Sequence, residues 1–247
     1  MALTDNLTHY YKFDESSGNA ADSVGSITMT NTNTVGYISA KINNGADTGS
    51  TNTNKRFTGS NHFTQAEITG NWSIGYWIFY NALPTAGNTI RPIEEIAAVS
   101  GSSKKAFWLD RYTNTAGQYI QIVNVGTTVD TYYSGISVST TTWYYHLWTY
   151  DGTSIRLYIN GTTTADWTQT MSFTTRGDGS GNDTSSFFAG GSGDESASMT
   201  FDEMGFWTRT LTGEEGATLY NGGAGLQYPF SSGTVAVHPQ LLTLGVG

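Results

Sequence analysis

The 247-residue chain has no cysteine, four prolines and little charge: Lys, Arg, Asp and Glu together make up 13% of it. Each scarcity excludes something. Without cysteine there are no disulfides, no thiolate catalysis and no cysteine-ligated zinc. Eleven Lys and Arg against 20 Asp and Glu leave a formal net charge of −9. Such a surface repels phosphate backbones and no basic stripe offsets it, so no nucleic acid is expected as a partner. No apolar run approaches the roughly 20 residues that span a bilayer, which argues against membrane insertion. Ala, Leu, Glu, Lys and Arg are too thin for long helices or coiled coils. Met1–Leu7 carries neither the basic stretch nor the apolar run of a secretory signal.

In their place the chain has seven Trp, 15 Tyr and 11 Phe, with Thr, Ser, Asn and Gly supplying about 45% of all residues. Aromatic area of this size builds a core and excludes intrinsic disorder. The combination describes a sheet protein joined by Gly, Asn and Asp turns.

Alternation locates the strands. In Trp143–Trp148, Trp143, Tyr145 and Leu147 point one way and Tyr144, His146 and Trp148 the other. Asp151-Gly152 marks a turn, Ile155, Leu157 and Ile159 form the next strand, and Asn160-Gly161 suits a type I′ hairpin. Thr162–Trp167 is then the third strand of an antiparallel meander. Further strands are expected at Leu7–Asp14, Trp72–Tyr80, Phe107–Tyr112, Gln118–Val125, Phe187–Gly190 and Met199–Trp207. One helix is expected over Gly213–Tyr220, opened by the Thr212/Glu215 capping box and closed by Asn221-Gly222. Beyond Pro229, Ser231-Ser232-Gly233 reads as a linker to an apolar tail. The organisation is one domain over 1–230 and a linker with tail over 231–247. No Walker loop, GxGxxG, HExxH or EF-hand pattern is present.

Four segments, in order, carry a family resemblance. Leu7–Asp22 (LTHYYKFDESSGNAAD), Asn71–Trp77 (NWSIGYW), Trp143–Gly161 (WYYHLWTYDGTSIRLYING) and Phe201–Gly223 (FDEMGFWTRTLTGEEGATLYNGG) resemble the strands and turns of laminin-G-like, concanavalin A-like jelly-roll domains. The resemblance implies an all-β fold: two antiparallel sheets in a jelly-roll sandwich with one short C-terminal helix. It also implies binding of glycans or other surface ligands, often beside a structural calcium, and in a few relatives polysaccharide hydrolysis. Fold alone does not transfer any of these functions.

The chemistry narrows the choice. Glycoside hydrolysis needs two carboxyl groups facing one bond. Glu94 and Glu95 are adjacent, as are Asp202 and Glu203, so each pair is expected to split between two sheet faces. No enzyme is therefore expected. His9, His62, His146 and His238 are scattered without metal-ligand spacing. Calcium takes six to eight oxygens, which loops supply well. Asp22 and Asp202 are the ligands to test first, with Asp178, Asp183 and Asp194 in nearby loops; an Asx-turn and a backbone hydrogen bond are the plainer roles for the first two. For a sugar, aromatic platforms are needed, and Trp108, Tyr112, Tyr132 and Tyr133 lie in the least family-like part of the chain; a strand Trp is more often core. Arg176-Gly177-Asp178 and the sequon at Asn160 fall in turn-rich sequence and indicate nothing further.

The expectation from sequence is a non-enzymatic, lectin-like virion surface protein, as a capsid decoration or tail-associated protein, made in the host cytoplasm and adhering to host glycans. Val235, Val237, Leu241, Leu242 and Leu244 in the tail could add a strand to another virion protein or to a second copy, or pack on their own domain. The alternatives are a carbohydrate-binding adhesin domain at a bacterial cell surface and, behind it, a polysaccharide hydrolase.

Overall fold

The computed structural model describes residues 1–49, 55–83, 89–99, 102–113, 119–123, 132–172, 184–189 and 198–230. The tail residues Val235, Val237, Leu241, Leu242 and Leu244, the loop acids Asp178, Asp183 and Asp194, and Arg176-Gly177-Asp178 lie outside the described residues.

Fourteen strands are described: β1 (Leu7–Tyr11), β2 (Thr30–Thr32), β3 (Gly36–Ser39), β4 (Asn44–Asp47), β5 (Arg56–Gly59), β6 (Asn71–Tyr80), β7 (Thr89–Val99), β8 (Ser102–Thr113), β9 (Tyr119–Val123), β10 (Trp143–Asp151), β11 (Ser154–Ile159), β12 (Trp167–Thr170), β13 (Thr184–Ala189) and β14 (Met199–Trp207). Two helices join them, α1 (Gln65–Thr69) and α2 (Gly213–Tyr220). One sheet has eight strands in the order β12-β11-β10-β6-β14-β4-β3, with β1 also on β14; the other has six, in the order β2-β5-β13-β7-β8-β9. The strand pairings described are antiparallel. This is the two-sheet sandwich expected from the sequence.

Period-two alternation builds the interior. Trp72, Ile74, Tyr76 and Ile78 of β6 face the inter-sheet core with Trp148 and Tyr150 of β10. Trp77, Tyr145, Leu147 and Trp207 belong to a second cluster on the other face of the same sheet. Rings join the two sheets: Trp72 stacks on Phe107 of β8 at 5.1 Å, and His62 stacks between Phe206 at 4.1 Å and Phe187 at 5.3 Å.

The second cluster explains why all nine residues of β14 are buried. α2 and the chain around it cover the outer face of the eight-stranded sheet, contributing Leu211 and Leu219, with Leu3, Tyr220, Tyr228 and Phe230 packed against them. Each fully buried large apolar side chain contributes about 1.5–3 kcal/mol. The capping box forms as the sequence indicates: Thr212 Oγ1 accepts from the Glu215 N–H, and Glu215 Oε2 accepts from the Thr212 N–H. Asn221 then ends the helix in the left-handed conformation.

The meander also forms, with β10 pairing β11 and β11 pairing β12. At its second turn Asn160 and Gly161 both have positive φ, as a type I′ turn requires. Its third strand differs from expectation, running Trp167–Thr170 rather than Thr162–Trp167. The reason is local: Asp166 Oδ2 accepts from the Ile159 N–H and from the Thr162 hydroxyl, so side-chain bonds hold this stretch out of the ladder.

Candidate functional site

β14 changes partner midway. Thr200 and Phe201 pair with Asp47 and Ala46 of β4, whereas Met204 and Gly205 pair with Tyr11 and Tyr10 of β1. Asp202 and Glu203 sit at this seam, where the register against β6 also shifts between Asp202 and Gly205. Glu203 takes a positive φ of 51°. An inserted residue in this conformation breaks the alternation of a strand. That corrects the sequence expectation for this pair: both acids are drawn into the buried seam instead of splitting between two faces.

The seam is rich in polar partners. Glu203 Oε2 accepts a 2.6 Å bond from the Tyr10 hydroxyl, and Glu203 Oε1 accepts from Gln227 Nε2 at 2.5 Å. The same Gln227 nitrogen donates to Asp14 Oδ2 at 2.9 Å. Asp202 Oδ2 accepts from the Ile42 N–H at 2.7 Å, while Asp202 Oδ1 is buried without a partner among the described residues. Asp202 is 0% exposed and Glu203 3%. Burial, and the neighbouring Glu203 charge, push the Asp202 carboxyl up to about 9. Burial raises Glu203 to about 8 against the lowering effect of its bonds to Tyr10 and Gln227. Burial thus favours the protonated form of both acids.

Asp22 stands in a different setting. Its Oδ1 accepts the backbone N–H groups of Tyr10, Val24 and Gly25, and its Oδ2 accepts that of Ile27 and contacts His9 Nδ1 at 2.6 Å. Burial alone would raise its pKa, but the His9 bond and the backbone amides outweigh it and bring it to about 2. His9 in turn meets the ring of His62 edge-on at 5.2 Å. This arrangement folds the Ser23–Ile27 loop onto β1.

The two acids singled out for calcium therefore have separate sets of partners. N–H donors surround the Asp22 carboxylate, whereas a cation needs converging lone pairs. At the seam, donors from Tyr10, Gln227 and Ile42 already occupy three of the four carboxylate oxygens. Among the described residues no three His, Cys, Asp or Glu side chains gather as a metal cluster. The donor set does not fit calcium at Asp22, and at Asp202 it offers one oxygen. Both acids are buried, and Glu203 is bonded to Tyr10 and Gln227.

Of the aromatic platform residues, Trp108 and Tyr112 are placed by backbone register, opposite Glu94 and Thr89 of β7. Their positions alternate with those of Phe107 and Leu109, which are buried in the core. Tyr132 is partly buried against the core cluster, and its neighbour Tyr133 is 50% exposed. Tyr132 and Tyr133 thus form an anchored and an exposed ring in succession. The sequence marks the adjacent acids Asp202 and Glu203 but not their partners Tyr10, Ile42 and Gln227, which lie far away along the chain.

The sequence profile described as the concanavalin A-like lectin/glucanases superfamily matches residues 50–215. No curated protein matches the chain. Among solved structures, domain 4 of the extracellular GH43 arabinanase AbnA from Geobacillus stearothermophilus, in complex with arabinotriose, is similar with a TM-score of 0.62 at 16% identity, covering 86% of this chain and 97% of that one. Trypanosoma rangeli sialidase is similar with a TM-score of 0.61 at 12% identity over 89% of this chain, which spans 34% of the sialidase. The binding domain of Paraclostridial Mosquitocidal Protein 1 is similar with a TM-score of 0.58 at 15% identity, over 89% of this chain and 53% of that one. At such identities the likeness is one of fold, shared by enzymes and by binding domains alike. With the profile match covering most of the sandwich, the chain belongs to the concanavalin A-like lectin/glucanases superfamily.

Proposed function

We propose that the chain is a non-enzymatic carbohydrate-binding domain. The observation that carries this reading is the pairing of the superfamily sandwich with an exposed tyrosine ring next to a partly buried one, Tyr133 beside Tyr132. A sugar offers a CH face to an aromatic ring, and a tyrosine has few rotatable bonds to fix on binding. Support comes from the arabinanase domain, which was solved with arabinotriose and is matched over nearly its whole length. The buried carboxylates of the seam speak against hydrolysis there, because a glycosidase needs both acids to reach the scissile bond.

The setting we favour is a virion surface, where the domain acts as a decoration or tail-associated adhesin. A cysteine-free chain folds in a reducing cytoplasm without losing any stabilising bridge. A bacterial cell-surface adhesin domain is the alternative. A glycan array that includes arabinan, galactan and sialylated oligosaccharides tests the binding reading. Binding that falls at least about tenfold in Tyr133→Ala, with unchanged thermal stability, supports it. Binding to no glycan would overturn it, and release of reducing sugar would replace it with an enzyme. Detection of the chain by mass spectrometry in purified particles separates the virion setting from the cellular one.

A further inference from the structure

Three pieces of chain cover the outer face of the eight-stranded sheet: the N-terminal residues, α2, and the segment that ends at Phe230. They do not close over it completely. Between them runs a groove of about 300 Å³ lined by Ala2, Leu3, Thr4, Thr218, Leu226 and Phe230. Among the described residues no charged side chain lines it. Its walls are fixed from below, since the Trp207 indole N–H donates to the Leu3 carbonyl at 2.7 Å and the Trp207 ring stacks on Phe230 at 6.5 Å. The space equals that of roughly ten waters, which would find few hydrogen-bond partners against Leu and Phe side chains.

The sequence supplies an occupant. Phe230 is both a wall of the groove and the residue from which 231–247 continue. That stretch contains no Asp, Glu, Lys or Arg, and after Ser231-Ser232-Gly233 it places Val235 and Val237 two residues apart. In an extended chain residues at this spacing share one face. Five residues reach up to about 17 Å, ample to return onto a groove that Phe230 itself borders. A short tether also raises the local concentration to the millimolar range, which a second copy at ordinary concentrations does not match.

We propose that Thr234–Val237 seats in this groove of its own domain, with Val235 and Val237 against Leu3, Leu226 and Phe230. The tail is then part of the cover over the outer sheet face.

The absence of cysteine makes disulfide trapping a clean test. Thr218→Cys combined with Val235→Cys, and separately with Val237→Cys, would be oxidised with glutathione disulfide in the full chain. Cysteine is itself a small apolar residue, so the substitution keeps the anchor, and Thr218 is exposed on α2. The control pair is Ile38→Cys with Val235→Cys, Ile38 being 45% exposed on β3. The expected result is an intramolecular bridge to Thr218→Cys at least tenfold faster than in the control, slowed to the control rate by adding Leu3→Asp. Free peptide of residues 234–244 should slow it as well. Equal rates in both pairs would overturn the proposal. Disulfide-linked dimers persisting on dilution would overturn it too, assigning the groove to the tail of a second copy. Thermal melts of the reduced variants establish that each is folded.

Discussion

The hydroxyl of Tyr10 on β1 donates a 2.6 Å hydrogen bond to Glu203 Oε2 on β14, across 193 positions of sequence. The bond bridges the seam where β14 passes from β4 to β1, and burial together with the Glu203 charge holds the Tyr10 phenol well above its ordinary pKa. Tyr10→Phe removes the donor and leaves a buried carboxyl oxygen unpaired. The expected loss is about 1–3 kcal/mol in urea unfolding. A change below about 0.5 kcal/mol would mean that the seam takes up water in place of the phenol.

The seam also sets a pH dependence. Asp202 and Glu203 are raised to about 9 and about 8 in the folded chain, from ordinary carboxylate values. The folded state therefore binds protons more tightly than the unfolded one. This contribution to stability is full below the ordinary carboxylate range, near pH 4, and is lost as pH rises towards 8 and 9. Each group loses about 1.4 kcal/mol per pH unit between its unfolded and folded values, so stability should fall steadily from pH 5 to pH 9. Asp202→Asn keeps the acceptor for the Ile42 N–H and cannot ionise, so its melting temperature should fall less over that range, leaving the part due to Glu203. Parallel curves for both proteins would show that Asp202 does not titrate over this range.

Asp22 has the opposite sign. Its carboxyl is held at about 2, so its contribution is present above pH 4 and is lost as pH falls through 2. Asp22→Ala strands the amides of Tyr10, Val24, Gly25 and Ile27 together with His9, and should cost about 2–4 kcal/mol at pH 7. Because these donors leave no room for a cation, the cost should be the same with calcium and with chelator. A cost present only in calcium would restore Asp22 as a metal ligand.

The regular parts of the fold were legible because period-two alternation and turn chemistry act within a few residues. Trp143–Asp151, the Asn160-Gly161 turn and the capping box at Thr212 are local, and they form as written. The short strands β2 to β5 carry little alternation. β4 reads Asn-Gly-Ala-Asp, and only its pairing with β3 and β14 makes it a strand. Helix α1 likewise rests on a capping box at Thr64 and Glu67 within five residues, too short for a periodicity to show. The site was less legible still. The partners of Asp202 and Glu203 are Ile42, Tyr10 and Gln227, brought together by sheet order rather than by sequence distance. Adjacent acids pointed to opposite faces only on the assumption of a regular strand, and the positive φ of Glu203 removes that assumption.

Gly213 tests how α2 is held on the sheet. It opens the helix and is buried, and a Cβ added there would meet the backbone carbonyl of Thr163, in the turn that follows β11. Backbone cannot swing aside as a side-chain tip can, so Gly213→Ala must push α2 away from the sheet. Helix propensity favours alanine over glycine by about 1 kcal/mol, which makes the two effects oppose each other. Contact with backbone should win, because displacing α2 also lifts Leu219 from the outer cluster beside Trp77 and Trp207. The expected outcome is a net loss of about 1–3 kcal/mol in chemical denaturation. A gain in stability would mean that α2 can slide without losing its cover over the sheet. Glu214→Ala, at an exposed position of the same turn, is the control and should stay within about 0.5 kcal/mol of the parent chain.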